Sequence, residues 1–292
     1  MKNILSLVLL LAIFASTSWG MGFPLGTSSL EKFEIRRTVK RPEPMLAFMH
    51  EYLLTGIKQT LTFAIVNLPT LKENYNATML EFDTLADKYE KIVGIGLPGN
   101  EGLSLEFAAL QVAKFKTQKA ASKIFKQPHD KVNLSEFKKS VDELNQLFNK
   151  YLELTFSLSP PWENNFTAAS LHLAMMSSDV LEAVNLGIFY TLLPGEVERK
   201  AFYQKMADFD SLAKEFARIG YLSAKEEKKL SKMFEELISL KGWLAQSLMK
   251  IQASFDASGK ILPDDLRIFE KDLQTFNLTY NRLLEELIRK SL

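Results

Sequence analysis

One helical unit occurs twice in this chain. Residues 79–92 read MLEFDTLADKYEKI and residues 206–219 read MADFDSLAKEFARI. Six of the fourteen positions are identical, where unrelated segments share about one, and these pairs are Met79/Met206, Phe82/Phe209, Asp83/Asp210, Leu85/Leu212, Ala86/Ala213 and Ile92/Ile219. A repeat of this length predicts two halves of the same architecture.

A second pair of segments aligns in the same order. Residues 133–153 match 265–285 with identities at Leu134/Leu266, Phe137/Phe269, Lys139/Lys271, Asn145/Asn277, Asn149/Asn281, Leu152/Leu284 and Glu153/Glu285. The pair Leu68-Pro69 also recurs, as Leu193-Pro194. The number of residues that separates matching positions is 125 for the Leu-Pro pairs, 127 for the first pair of segments and 132 for the second. Insertions in the turns between helices account for this increase. We therefore predict an internal duplication.

The spacing of apolar residues predicts helices throughout both halves. In residues 79–92 these residues recur every three or four positions, which indicates a helix with one buried face. Pro and Gly breaks divide each half into four such segments, and Asn133 with Glu136 predicts a capping box at the start of the fourth. Short turns make consecutive helices antiparallel. The predicted fold is all-α, with eight helices in two tandem up-down four-helix bundles.

The N-terminus has the pattern of a secretory signal peptide. Lys2 precedes an apolar run from Leu5 to Ala15, and small residues follow up to Gly20. This run is shorter than a membrane span, so a retained anchor helix is the less favoured alternative. The predicted organisation is a cleaved signal peptide at 1–20, a flexible arm at 21–44, a first bundle at 45–158, a linker at 159–166 and a second bundle at 167–292.

The absence of cysteine narrows the predicted destination of the exported chain. Small extracellular domains of eukaryotes usually depend on disulfides, so a chain with no Cys favours the bacterial periplasm over other secreted locations. Four Asn-x-Ser/Thr triplets begin at Asn76, Asn133, Asn165 and Asn277. They bear on the protein only if its host glycosylates exported chains.

The charge balance argues against nucleic acid as a partner. The chain has 36 basic and 35 acidic residues, and removing Lys2 with the signal peptide leaves 35 of each. Proteins that bind nucleic acid use an excess of Lys and Arg to neutralise phosphates. We expect no nucleic-acid binding, and no later segment is apolar enough to span a membrane.

Sequence patterns of catalysis are lacking, so we predict no enzyme activity and no catalytic residues. No Cys nucleophile, Gly-x-Ser-x-Gly elbow or P-loop is present. The repeated Asp83 and Asp210 resemble paired acids, but helix geometry favours a solvated face, with Asp210 one turn from Lys214.

Two histidines lie near methionines in equivalent helices. His50 follows Met45 and Met49, and His172 precedes Met175 and Met176. Imidazole with thioether suits copper or haem, yet His50 aligns with Met175, so no ligand set repeats. Met commonly fills cores. We predict core packing, with no metal and no cofactor, and we expect His129 to lie in a solvated turn.

Two further features bear on function. The arm carries a basic cluster at residues 31–41, which predicts either a solvated lead-in or contact with an acidic surface. Residues 63–66 and 186–190 are apolar on all sides, which predicts central core helices.

The leading hypothesis is a non-enzymatic interaction protein that presents a helical face, or the cleft between repeats, to a protein partner in the envelope. The alternatives are a bundle that binds a lipid or other small apolar ligand, and a membrane-active helical protein.

Overall fold

A computed structural model describes residues 42–158, 165–218, 228–258 and 262–291. These residues form eight α-helices and no strand, so the all-α prediction is confirmed. The helices are α1 (Pro42–Val66), α2 (Pro69–Val93), α3 (Glu101–Ile124), α4 (Lys131–Leu158), α5 (Asn165–Leu192), α6 (Glu196–Arg218), α7 (Lys228–Ser258) and α8 (Pro263–Ser291). The predicted signal peptide and the basic cluster of the arm lie outside the described residues.

Both Leu-Pro pairs mark a boundary between two helices, as predicted. Asn67 has a left-handed backbone with φ of 50° and ends α1, and its N–H donates to the Phe63 carbonyl over 2.7 Å. Pro69 then begins α2, where a missing N–H costs no helical hydrogen bond. The second pair, Leu193-Pro194, lies between the end of α5 and the start of α6.

The turn from α2 to α3 is shaped by glycine and one asparagine. Gly94 has φ of 71° and caps α2, with its N–H donating to the Glu90 carbonyl over 2.9 Å. A side chain is strained in this left-handed conformation, which explains Gly at this position. The Asn100 amide donates to the Val93 carbonyl at 2.9 Å and so ties the start of α3 to the end of α2.

The start of α4 differs from the prediction. Asp130, rather than Asn133, caps the helix: its Oδ1 accepts the N–H groups of Val132 at 2.8 Å and Asn133 at 3.0 Å. Glu136 instead pairs with Lys123 of α3. The predicted capping box is therefore wrong, because the cap lies three residues earlier than expected.

Two predicted boundaries also shift. Residues 42–44, expected in the arm, belong to α1, and residues 165–166, expected in the linker, belong to α5. The other linker residues, 159–164, lie outside the described residues.

The helices pack as hairpins around a central pair. Helix α1 packs on α2, α3 on α4, α5 on α6 and α7 on α8, and α1 packs on α5 between the two halves. Helices α3 and α4 also contact α1, while α7 and α8 contact α5. The buried apolar side chains form one continuous core through both halves. This pairing fits the predicted paired bundles.

The central helices run in the same direction. His50 and Leu54 of α1 contact Ser178 and Asn185 of α5, so later residues in one helix meet later residues in the other. Both apolar strips lie in the core, with Ala64 and Phe189 fully or almost fully buried. The prediction that these are central core helices is confirmed.

One three-residue arrangement occurs in both halves. The Lys114 ammonium of α3 pairs with Asp83 of α2 and lies 4.7 Å from the centre of the Phe82 ring. In the second half, Lys241 of α7 is 2.9 Å from Asp210 and 5.3 Å from the centre of the Phe209 ring. Each residue of the second set follows its counterpart by 127 positions. The two α2–α3 and α6–α7 contacts therefore use equivalent side chains.

Candidate functional site

Helix α3 exposes an apolar stripe on the face that points to solvent. Leu105, Ala108, Val112 and Phe115 form this α3 solvent stripe, with spacings of three, four and three residues. Leu105 is 71% exposed, Val112 56% and Phe115 68%. The opposite face of α3, including Phe107 and Leu110, is buried in the core. Contiguous exposed apolar residues of this kind mark interaction surfaces.

A charged residue of opposite sign lies at each end of the stripe. Glu101 is exposed one turn before Leu105, and Lys119 is exposed one turn after Phe115. The Gly99 N–H donates to Glu101 Oε1 over 3.0 Å and lowers the pKa of this carboxyl. The surface therefore runs from a carboxylate through four apolar residues to an ammonium group.

The equivalent face of α7 is polar. Adding 127 to each stripe position gives Lys232, Glu235, Ser239 and Gly242. The first three are exposed, and Gly242 has open space around its α-carbon. Because α7 folds with this polar face, the helical architecture does not require apolar residues at these positions. The α3 solvent stripe needs another explanation.

A second candidate lies inside the protein, where a buried polar cluster joins the two halves. His50 of α1 is 1% exposed, and its Nδ1 is 2.9 Å from Ser178 Oγ of α5. Its Nε2 is 3.7 Å from Glu182 Oε1, too far for a hydrogen bond. The imidazole stacks on the Phe148 ring of α4, with centroids 4.2 Å apart and planes 9° from parallel.

A single lysine bridges the acidic side of this cluster. Lys205 Nζ of α6 lies 2.7 Å from Glu182 Oε2 and 3.2 Å from Asp179 Oδ1. Burial raises the pKa of both carboxyls, that of Asp179 to about 7. Burial opposes the charge on Lys205, but Glu182 and Asp179 outweigh it, so its pKa is raised. Burial and then the charge of Lys205 lower the pKa of His50 to about 3.

The order Ser178–His50–Glu182 resembles the nucleophile, base and acid of a hydrolase only in residue type. Ser178 is 9% exposed and lies in the seam between α1 and α5, so little of this residue is open to a substrate. The bond from His50 instead ties the two central helices in one register. We interpret the cluster as a structural connection between the halves.

The other histidines lie apart from this cluster. His172 Nε2 of α5 is 3.3 Å from Glu215 Oε2 of α6, and its side chain is 23% exposed. Met45, Met49 and Met176 are fully buried in the core, as core packing predicts, whereas Met175 and His172 are only partly buried. His129 is exposed in the turn before α4, as expected.

The repeated aspartates do not form a pair of acids. Asp83 and Asp210 are about half exposed, and each binds a lysine of the following helix. The solvated-face interpretation agrees with this exposure. The expected partner of Asp210 was Lys214, one turn away, whereas the structure pairs Asp210 with Lys241 of α7.

A small, partly open cavity in the first half has room for about one water molecule. Its volume is about 10 Å³, and Tyr75, Lys114 and Phe137 are among its lining residues. Pockets that hold a lipid or cofactor measure several hundred Å³. This cavity therefore gives no support to the small-ligand alternative.

The described residues contain neither a candidate metal site nor a candidate membrane-spanning helix. No group of three or more His, Asp or Glu side chains there is arranged to hold a metal ion. No helix in these ranges combines the length and the apolar character that crossing a membrane requires.

Sequence reasoning missed the α3 solvent stripe and the partners of His50. The sequence shows a second apolar series on α3 with spacings of three and four residues, but it does not show which of the two series is exposed. Ser178, Glu182 and Lys205 lie in other helices and give no local signal. Comparison with protein families, curated proteins and solved structures found no match.

Proposed function

We propose that this chain is an exported, non-enzymatic helical protein that binds a protein partner through the α3 solvent stripe. The observation that carries this proposal is the contrast between the two halves. The stripe is apolar and exposed on α3, whereas the equivalent positions of α7 hold Lys232, Glu235, Ser239 and Gly242. An apolar face that folding does not need is accounted for by a partner that covers it.

The proposal includes the duplication. Two observations support it. The arrangement of Lys114, Asp83 and Phe82 has a counterpart in the second half at an offset of 127 residues. Buried residues of α3 and α7 are also identical at this offset, and these pairs are Leu103/Leu230, Phe107/Phe234, Leu110/Leu237 and Ile124/Ile251. After duplication, one copy of the helix acquired or kept an apolar outer face. The two halves then have the same architecture and different surfaces.

Export rests on the N-terminal pattern, from Lys2 through the apolar run to Gly20. A partner is therefore expected in the envelope or outside the cell. Of the two surfaces considered from the sequence, the helical face is favoured over the cleft between repeats. The seam between α1 and α5 is filled by packed side chains such as His50, Leu54 and Val184.

The test is recovery of a partner from the envelope fraction of the producing cell. The bait is compared with a variant in which α3 takes three residues of α7: Leu105→Lys, Ala108→Glu and Val112→Ser. Because α7 is helical with these residues, the variant should keep its far-UV circular dichroism and its thermal midpoint. We expect partner recovery to fall at least about tenfold, as loss of a central apolar contact predicts.

The matched control is Trp243→Gln on α7, which removes an apolar side chain that is 58% exposed. Recovery should be unchanged in this variant. Equal recovery with the wild-type chain and the α3 variant, or loss only with Trp243→Gln, would contradict the proposal.

A further inference from the structure

We propose that the partner of the α3 solvent stripe is a second copy of this chain, bound so that the two α3 helices pack antiparallel. This inference rests on the proposed function, since it names the partner of the same surface. It is carried by the self-complementary order of residues along the stripe.

The spacing of the stripe matches an antiparallel helix pair. When two identical helices pack about a two-fold axis level with Leu110, Leu105 of one copy lies opposite Phe115 of the other. Ala108 then lies opposite Val112 of the second copy. Spacings of three and four residues are those of the two apolar positions in a heptad, and antiparallel pairs bring one kind of position opposite the other. All four apolar residues therefore find an apolar counterpart.

The charges at the two ends are complementary in the same register. The axis that pairs Leu105 with Phe115 also places Glu101 of one copy opposite Lys119 of the other, and it does so at both ends. In a parallel pair, Glu101 would face Glu101 and Lys119 would face Lys119, and like charges repel. Charge therefore selects the antiparallel arrangement.

The sizes of the side chains along the stripe also fit an antiparallel pair of α3 helices. Ala108 is the smallest residue of the stripe and lies close to the axis, where the two backbones come nearest. The larger Leu105 and Phe115 lie further out, where they pack on each other. A symmetric contact of this kind closes as a dimer and leaves no exposed copy of the surface.

The N-terminal arm is a poorer candidate than a second copy to cover the α3 solvent stripe. Its basic cluster at residues 31–41, which includes Arg36, Arg37 and Arg41, has the same sign of charge as Lys119 of α3. A second copy instead offers a carboxylate to Lys119.

The expected dimer is weak. One pair of helices buries less surface than a standard interface of about 1,600 Å². We therefore expect a dissociation constant in the micromolar range, measurable by sedimentation velocity between about 1 μM and 1 mM.

Disulfide trapping tests the register directly, because the chain contains no cysteine. A full-length chain with Leu105→Cys is mixed with a tagged full-length chain with Phe115→Cys under mild oxidation. The mixed 105–115 disulfide should form at least about tenfold faster than either homodimer. In the proposed register like positions are about 15 Å apart along the helix, which is beyond disulfide reach.

Charge reversal tests the ends of the surface without disturbing the apolar residues. Glu101→Lys and Lys119→Glu should each weaken the dimer about tenfold, since each removes two ion pairs and creates two repulsions. The double reversal should restore the dissociation constant to within about twofold. Gln246→Glu, at the position of α7 that matches Lys119, is the control and should have no effect.

A wild-type chain that stays monomeric up to about 1 mM would overturn this inference, and so would preferred 105–105 and 115–115 disulfides. If the monomer still recovers another envelope protein, and that recovery depends on the stripe, the proposed function stands and the second copy is wrong. If the arm covers the stripe, the chain also stays monomeric, which overturns the inference equally. If neither association nor recovery depends on the stripe, both proposals fail.

Discussion

His50 Nδ1 of α1 and Ser178 Oγ of α5 lie 2.9 Å apart in the core. This contact joins helices that belong to different halves and are 128 residues apart in sequence. The imidazole also stacks on Phe148, so three helices meet at one side chain. The connection between the halves is therefore partly polar, within a core that is mostly apolar.

His50→Ala should reduce the free energy of unfolding by about 2–4 kcal/mol, because it leaves a cavity beside Phe148 and removes the hydrogen bond to Ser178. His172→Ala is the matched control. Its side chain is partly exposed beside Glu215, so the change should be below about 1 kcal/mol. Urea unfolding measures both. Equal losses would contradict a special role for His50.

The low pKa of His50 predicts that its contribution to stability falls in acid. Burial lowers this pKa from 6.5 to about 3 in the folded chain. Between these values the unfolded chain binds a proton that the folded chain does not. The contribution is thus complete above pH 6.5 and is lost as pH falls towards 3. His50→Gln should lose this dependence, so the wild-type advantage should shrink between pH 6.5 and 4.5.

The raised pKa of Asp179 predicts the opposite pH dependence for its contribution to stability. Burial raises its pKa from 3.8 to about 7, so the folded carboxyl keeps a proton that the unfolded chain releases. Its contribution is present below about pH 4 and is lost as pH rises to 7. Asp179→Asn cannot ionise, and its stability relative to the wild type should therefore increase from pH 4.5 to 7.5. A constant difference in urea unfolding across this range would contradict the assignment.

The two Lys–Asp pairs should be energetically equivalent. The Lys114 and Lys241 side chains are 7% and 11% exposed, and their aspartates are 51% and 54% exposed. Asp83→Asn and Asp210→Asn should each cost about 1 kcal/mol, since each leaves a nearly buried ammonium without a carboxylate. Asp87→Asn, on the exposed side of α2, should change the free energy of unfolding little. Unequal costs for the first two variants would weaken the case for duplication.

Gly187 of α5 allows α7 to approach closely. A β-carbon there would lie 2.5 Å from Leu248 Cδ2 and 2.9 Å from Leu248 Cγ. Gly187→Ala should therefore destabilise the protein by about 1–3 kcal/mol, despite the higher helix propensity of Ala. At Gly56 the nearest atom is the flexible Met79 Cε, so Gly56→Ala should cost less. Thermal unfolding of both variants measures the difference, and equal costs would contradict tight packing at Leu248.

The helices and the breaks between them were predictable because their signals are local. Leu68-Pro69 and Gly94 end helices through backbone geometry that the sequence displays directly. Short connections then predicted that consecutive helices pack as antiparallel neighbours, whereas the packing of α1 on α5 was not predicted. The start of α4 was mispredicted because Asn133 and Asp130 are both good caps, and sequence alone does not rank them.

The candidate sites were harder to predict because they depend on neighbours from distant segments. The partner of Asp210 was expected in its own helix, at Lys214, but Asp210 pairs with Lys241 of α7. The polar cluster around His50 needs residues from three helices. The α3 solvent stripe escaped notice because α3 has apolar residues on both faces, and its periodicity does not tell the buried face from the exposed one.

The most direct test of the account is photo-crosslinking in the producing cell, with benzoylphenylalanine in place of Phe115 or of Trp243. Both side chains are exposed, at 68% and 58%, on equivalent helices of the two halves. The account predicts a discrete covalent adduct from position 115 and none from position 243, with a mass twice that of the chain if the partner is a second copy. Adducts from neither position, or equal adducts from both, would contradict the claim that the α3 solvent stripe is an interaction surface.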